Sequence, residues 1–107
     1  MSRDYDKLVR DRIPSIVEEN GERPVTHVAD RAEYRRRLHA KLDEEVREFH
    51  EDESPEELAD VLEVVFALAA TLDVDESDLR RLREAKAADR GRFAERIVLD
   101  RVEDGSE

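Results

Sequence analysis

No cysteine occurs anywhere in the chain of 107 residues, so neither a disulfide framework nor a thiolate metal site is available, and any metal must be held by oxygen or histidine. An excess of basic residues is missing too: 19 lysines and arginines face 30 aspartates and glutamates, for a formal net charge of −11. A chain of that sign repels a phosphate backbone, so nucleic-acid binding is not expected. No apolar run approaches membrane-spanning length, and the opening Met1 to Lys7 has no signal-peptide character, so no membrane partner is expected and a soluble, cytoplasmic protein is. Lysine is scarce, with Lys7, Lys41 and Lys86 the three in the chain. An acidic, lysine-poor surface is what adaptation to high intracellular salt leaves, and a halophilic source is the expectation; arginine-favouring codon usage is the plainer alternative. The sequence also lacks internal repeats and low-complexity linkers.

What is present is charge, at 46% of residues, arranged periodically enough to argue against disorder through the middle of the chain. A domain of this length supports one core and little more, and a single domain over residues 1–102 is expected, followed by a mobile acidic tail at 103–107. The fold class is mainly α, a small bundle of about four helices. Ile13 to Gly21 carries proline in its first turn and glycine after its end, the punctuation of a short helix. Asp30-Arg31-Ala32-Glu33 and Ser54-Pro55-Glu56-Glu57 are capping-box patterns that open helices running to about His50 and about Leu72. Glu51-Asp52-Glu53 is then the loop of an antiparallel pair. A fourth helix starts at Asp75, with Val74 and Leu79 placed as a hydrophobic staple, and ends before Gly91. The sequence further admits a short two-stranded β element, pairing the β-prone Arg23 to Val28 with Arg96 to Val102.

Two acidic clusters stand out, Glu44-Glu45-Val46-Arg47-Glu48 on the second helix and Glu57-Leu58-Ala59-Asp60 on the third. Residues three apart are neighbours on a helix surface. Wound at about 100° per residue, Tyr34, Leu38, Leu42, Val46 and Phe49 share one sector, and Glu45 falls inside it with Glu48 on its edge. Glu57 likewise falls between Val64 and Leu68 on the next helix's apolar stripe, with Asp60 on the edge. A solvated acidic face would keep its carboxylates opposite the stripe. Inward carboxylates this close need a counterion, and hard oxygen ligands suit Mg²⁺ or Mn²⁺. The alternatives are ordinary: a charged solvated face for Glu44, Glu45 and Glu48, and for Glu57 a capping role with Ser54. On the fourth helix Lys86 falls between Leu79 and Leu82 on a thin apolar face, a cation directed toward the acidic helices or else a snorkelling side chain. His27, His39 and His50 form no ligand pair by spacing and read as surface residues.

The pair Glu45-Val46-Arg47-Glu48 and Glu57-Leu58-Ala59-Asp60 resembles the ExxE and ExxD signature of the all-α nucleoside triphosphate pyrophosphatases, the group of MazG-like enzymes and phosphoribosyl-ATP pyrophosphohydrolase. The flanking Lys41 to Glu45 and Asp60 to Leu62, the opening Tyr5 to Pro14, the Gly21 to Thr26 stretch and Arg90 to Phe93 are similar to a small subgroup of house-cleaning enzymes for noncanonical nucleotides. One departure is the spacing: eight residues separate Glu48 from Glu57, shorter than is typical of MazG-like enzymes, which cuts back the loop that helps to shape the nucleotide pocket. The resemblance implies a metal-dependent pyrophosphohydrolase releasing nucleoside monophosphate and pyrophosphate. It implies Glu45, Glu48, Glu57 and Asp60 as ligands of Mg²⁺ or Mn²⁺, and Glu44 with Glu45 as the catalytic carboxylates. Lys86 is then the first candidate for the substrate phosphates, with Lys7, Arg10, Arg12, Arg90 and Arg92 behind it. Alternatives are phosphoribosyl-ATP pyrophosphohydrolase of histidine biosynthesis and a non-catalytic acidic helical module that binds a protein. Wide apolar stripes on so small a bundle also lead to the expectation of a homodimer or higher homo-oligomer.

Overall fold

A computed structural model describes residues 2–105. Four helices follow one another: α1 Ile13–Glu19, α2 Arg31–Glu51, α3 Pro55–Thr71 and α4 Glu76–Arg90. The fold is a small all-α helical bundle. Its helix starts follow the local chemistry of the sequence. Asp30 accepts the Glu33 amide proton at 2.8 Å, Ser54 that of Glu57 at 3.3 Å and Asp75 that of Asp78 at 2.8 Å, so each of the three long helices has an orphan amide satisfied by its N-cap. Helix α1 begins with Pro14 in its first turn and stops where Gly21, at φ 82°, adopts a backbone that glycine takes without strain.

Helices α2 and α3, joined across three residues, make the main packing pair; α4 leans more lightly on α3, and α1 packs closely against none of the others. The core lies between α2 and α3 and is small, with Leu38, Val64 and Ala69 its buried apolar residues. On α3 Val64 is buried and Val61 and Leu68 are half-buried. The neighbouring sector with Leu58 and Leu62 is left about half exposed, because α4 shields only part of its length. The expectation that Lys86 shares a packed face with Leu79 and Leu82 is met only in part: Leu79 is half-buried, whereas Leu82 and Lys86 are exposed.

The two-stranded β element does not form: no strand occurs among the described residues. Residues 22–30 and 97–104 carry neither helix nor ladder, and no backbone hydrogen bond joins one stretch to the other. β-Propensity expresses fit to a pleated, half-buried surface, and within one chain neither segment is given such a surface. Of the tail expected at 103–107, residues 106–107 lie outside the described residues; Glu103 accepts a hydrogen bond from Arg101 at 2.8 Å. No helix among the described residues is long and apolar enough to cross a membrane.

Candidate metal centre

The loop between α2 and α3 sets the last two turns of α2 beside the first two turns of α3, and the acidic clusters meet there. Glu45, Glu57 and Asp60 each present a carboxylate oxygen, and the three oxygens lie within 4.8 Å of one another. Glu45 is buried at 7% relative exposure, and Glu57 and Asp60 are half-buried. Glu48 flanks this group closely enough to bear on the electrostatics of both Glu45 and Glu57. Glu44 stands to one side, where Lys41 donates to it at 2.6 Å and Lys7 reaches it at 3.5 Å.

The electrostatics divide these carboxylates into two kinds. Burial raises the Glu45 carboxyl above its ordinary range, and the neighbouring Glu48 adds to the effect, against an opposing pull from Lys41 at 3.4 Å. Burial also raises Glu57, helped by the negative charges of Asp60, Glu45 and Asp52. Glu44 moves the other way, held low by the hydrogen bond from Lys41. Burial disfavours the Lys41 ammonium, yet its hydrogen bond and charge contact with Glu44, together with Glu45, outweigh that and raise its pKa. Glu44 is thus a neutralised partner of two lysines, whereas Glu45 and Glu57 are anions short of positive charge.

Glu57 supplies the sharpest test of fit. Its Oε2 atom is buried and has no hydrogen-bond partner, in a position where an ionised oxygen without a partner is costly. Around it six carboxylates, Glu44, Glu45, Glu48, Asp52, Glu57 and Asp60, meet three cations, Lys7, Lys41 and Arg10. Fully ionised, the cluster keeps an excess of negative charge, which a divalent cation would offset. An all-oxygen donor set without nitrogen or sulfur suits Mg²⁺ or Mn²⁺.

The N-terminal segment completes the surroundings. Arg37 on α2 donates to the Asp6 carbonyl at 2.8 Å and to the Asp6 carboxylate at 3.0 Å. Asp6 itself sits at φ 43°, a left-handed conformation that aspartate tolerates better than most residues. This anchor lays the following residues along α2 and α3, and Arg10 reaches Asp60 at 2.7 Å. A groove of about 290 Å³ opens here between Tyr5, Lys7, Arg37, Lys41, Glu44 and Arg47. Of the cations expected to face substrate, Lys7 and Arg10 therefore stand at the acidic cluster. Arg12 and Arg92 are exposed, and Lys86 is too, with no carboxylate within 4.0 Å of any of them among the described residues; Arg90 contacts Asp89 at 3.7 Å. Sequence reading missed Lys41 and Arg37 as contributors. The first was signalled by its spacing of three and four residues from Glu44 and Glu45; the second depends on a contact across 31 residues that no local pattern encodes.

Compared with protein-family models, curated proteins and solved structures, the chain gives no match.

Proposed function

We propose that this protein is a metal-dependent nucleotide pyrophosphohydrolase that splits the α–β phosphoanhydride of a nucleoside triphosphate into nucleoside monophosphate and pyrophosphate. The observation that carries the reading is the convergence of Glu45, Glu57 and Asp60 from consecutive helices, with a buried, unpartnered oxygen on Glu57. These three, with Glu48 beside them, would hold Mg²⁺ or Mn²⁺. A bound ion would supply charge neutralisation for the triphosphate and a lowered pKa for an attacking water.

The rest falls to the chain. Glu44, kept ionised by Lys41, can accept a hydrogen bond from that water and orient it toward phosphorus. The water oxygen forms the new bond to phosphorus, the bridging anhydride oxygen leaves with pyrophosphate, and the displaced proton passes to the carboxylates or solvent. Lys7 and Arg10 rest on the Glu44 and Asp60 carboxylates in the free protein, and in this reading they turn to phosphate oxygens when substrate arrives. Exposed Lys86, Arg12, Arg90 and Arg92 add positive charge farther out. The short α2–α3 connection leaves little loop to enclose a base, which favours a small or permissive base site and a house-cleaning role toward noncanonical nucleotides.

The test is a panel of ordinary and altered nucleoside triphosphates, with phosphoribosyl-ATP included, assayed with Mg²⁺ for both products. Pyrophosphate with the monophosphate is expected. Orthophosphate with a diphosphate, or no turnover of any panel member despite metal binding, overturns the reading; turnover confined to phosphoribosyl-ATP moves it to the histidine-pathway enzyme.

A further inference from the structure

The chain leaves far more surface in water than a folded domain of its mass. Its accessible surface is 10057 Å², whereas a compact monomer of this size exposes about 6,200 Å². Its radius of gyration is 19.5 Å against about 13 Å for a compact domain. Two extended stretches contribute to the excess. Val25 and Val28, between α1 and α2, are 90% and 98% exposed, and Ile97, Val98, Leu99 and Val102, beyond α4, are 75–82% exposed. The composition of both stretches is that of strands, and among the described residues neither has a ladder partner. Apolar side chains and unpaired backbone in the same segments are the condition under which strand edges recruit another chain.

We infer that a second copy of this chain is the missing partner, with segment 97–102 of each copy pairing with segment 24–28 of the other. Two further features favour a second copy over an unrelated protein. The surplus of roughly 3,900 Å² per chain is large enough to supply an obligate homodimer interface, which buries about 2,000–5,000 Å² in total. Charge selects the same segments. In a chain of net charge −11, residues 23–28 carry one arginine and no acid, and residues 96–102 carry two arginines against one aspartate. These are stretches where two copies can approach without setting carboxylate against carboxylate, and where each meets the acidic remainder of the other favourably. The inference is independent of the metal centre.

Light scattering of the full chain after size exclusion is expected to give twice the 12.5 kDa chain mass. Raising salt should strengthen the association, since screening removes repulsion between acidic copies and leaves apolar burial intact. The double variant Ile97→Asp/Leu99→Asp should run as a monomer with unchanged helical circular dichroism. Because the protein has no cysteine, a tagged Val28→Cys chain mixed with an untagged Val98→Cys chain and oxidised should give a disulfide-linked heterodimer. A monomeric wild type overturns the inference. So does a Val28→Cys/Val98→Cys chain that closes its disulfide within a monomer, which would place the ladder in one chain. A dimer unaffected by the arm substitutions but lost in Leu58→Asp would place the interface on α3 and overturn it equally.

Discussion

The Ser54 hydroxyl accepts the Glu57 amide proton at 3.3 Å, but the Glu57 carboxylate does not return the bond to the Ser54 amide, which donates instead to the Asp52 carbonyl at 2.8 Å. Half of a capping box is formed, and the side chain that should close it is turned toward Glu45 and Asp60. Sequence offered two roles for Glu57, and the geometry separates them: the backbone takes part in the cap and the carboxylate does not.

That separation makes Ser54→Ala and Glu57→Gln opposite in effect. Removing the hydroxyl leaves the Glu57 amide without its acceptor and should lower stability by about 0.5–2 kcal/mol, with activity per folded molecule unchanged. Glu57→Gln removes a negative charge that its surroundings disfavour, so stability without metal should hold or rise while Mg²⁺-dependent pyrophosphate release collapses. Urea midpoints and initial rates on the same preparations decide it; a Glu57→Gln enzyme of normal rate would remove Glu57 from the site.

Arg10 lies on Asp60 at 2.7 Å, so a metal that binds Asp60 must compete with a guanidinium. Arg10→Ala should therefore tighten Mn²⁺ binding several-fold, seen by titration calorimetry, and, on the proposed function, still slow turnover through loss of a cation for the substrate phosphates. Asp60→Asn should abolish the metal-induced rise in melting temperature. If Arg10→Ala weakens metal binding instead, the pair supports the site rather than occupying it.

Much of this arrangement was legible from local pattern. The three N-caps, the ends of the four helices and the inward turn of Glu45 and Glu57 all follow from interactions within one turn or one helix face, where spacing fixes geometry. What escaped was non-local. The Arg37 to Asp6 anchor, and with it the seating of Arg10, spans 31 residues. The β pairing of 23–28 with 96–102 failed within the chain because strand propensity names a need for a partner without naming which one. Lys86 was placed by its wheel position on a face that α4 leaves in water, since a helix with so few apolar residues packs too lightly to bury it.

Acid should reach the carboxylates of the proposed metal site before those at the helix starts, because burial raises Glu45 and Glu57 whereas hydrogen bonds depress Asp75 and Glu33. The Asp78 amide and the Ser77 hydroxyl hold the Asp75 carboxyl below the ordinary aspartate range, and the hydrogen bond with His27, joined by Arg37, does the same for Glu33. A carboxyl depressed by folding stabilises the native state above its unfolded pKa, about 3.9 for aspartate and 4.3 for glutamate, and loses that contribution as pH falls through the folded value. Asp75→Asn keeps an oxygen acceptor that does not titrate. Its stability should be equal to or slightly below wild type near neutrality and should fall less steeply than wild type below about pH 4, in urea titrations. A steeper fall in the variant would reverse the sign and show that the Asp75 charge opposes the cap.

Lys86 is the cation whose role the surroundings constrain least, and for that reason its test is clean. It is exposed on α4, and no carboxylate lies within 4.0 Å among the described residues, so Lys86→Ala should leave the urea midpoint unchanged and should not alter Mn²⁺ affinity. If the ammonium meets substrate phosphates, its loss should appear in KM with little change in kcat, by a factor of about five, equivalent to about 1 kcal/mol of uniform binding. Lys86→Arg should recover most of that, because a positive charge at an exposed position acts through its field more than through fixed geometry. Arg10→Ala, in contrast, changes both metal affinity and rate. A Lys86→Ala enzyme with wild-type KM across the nucleotide panel would leave phosphate recognition to the N-terminal segment, where Lys7 and Arg10 already stand beside the acidic cluster.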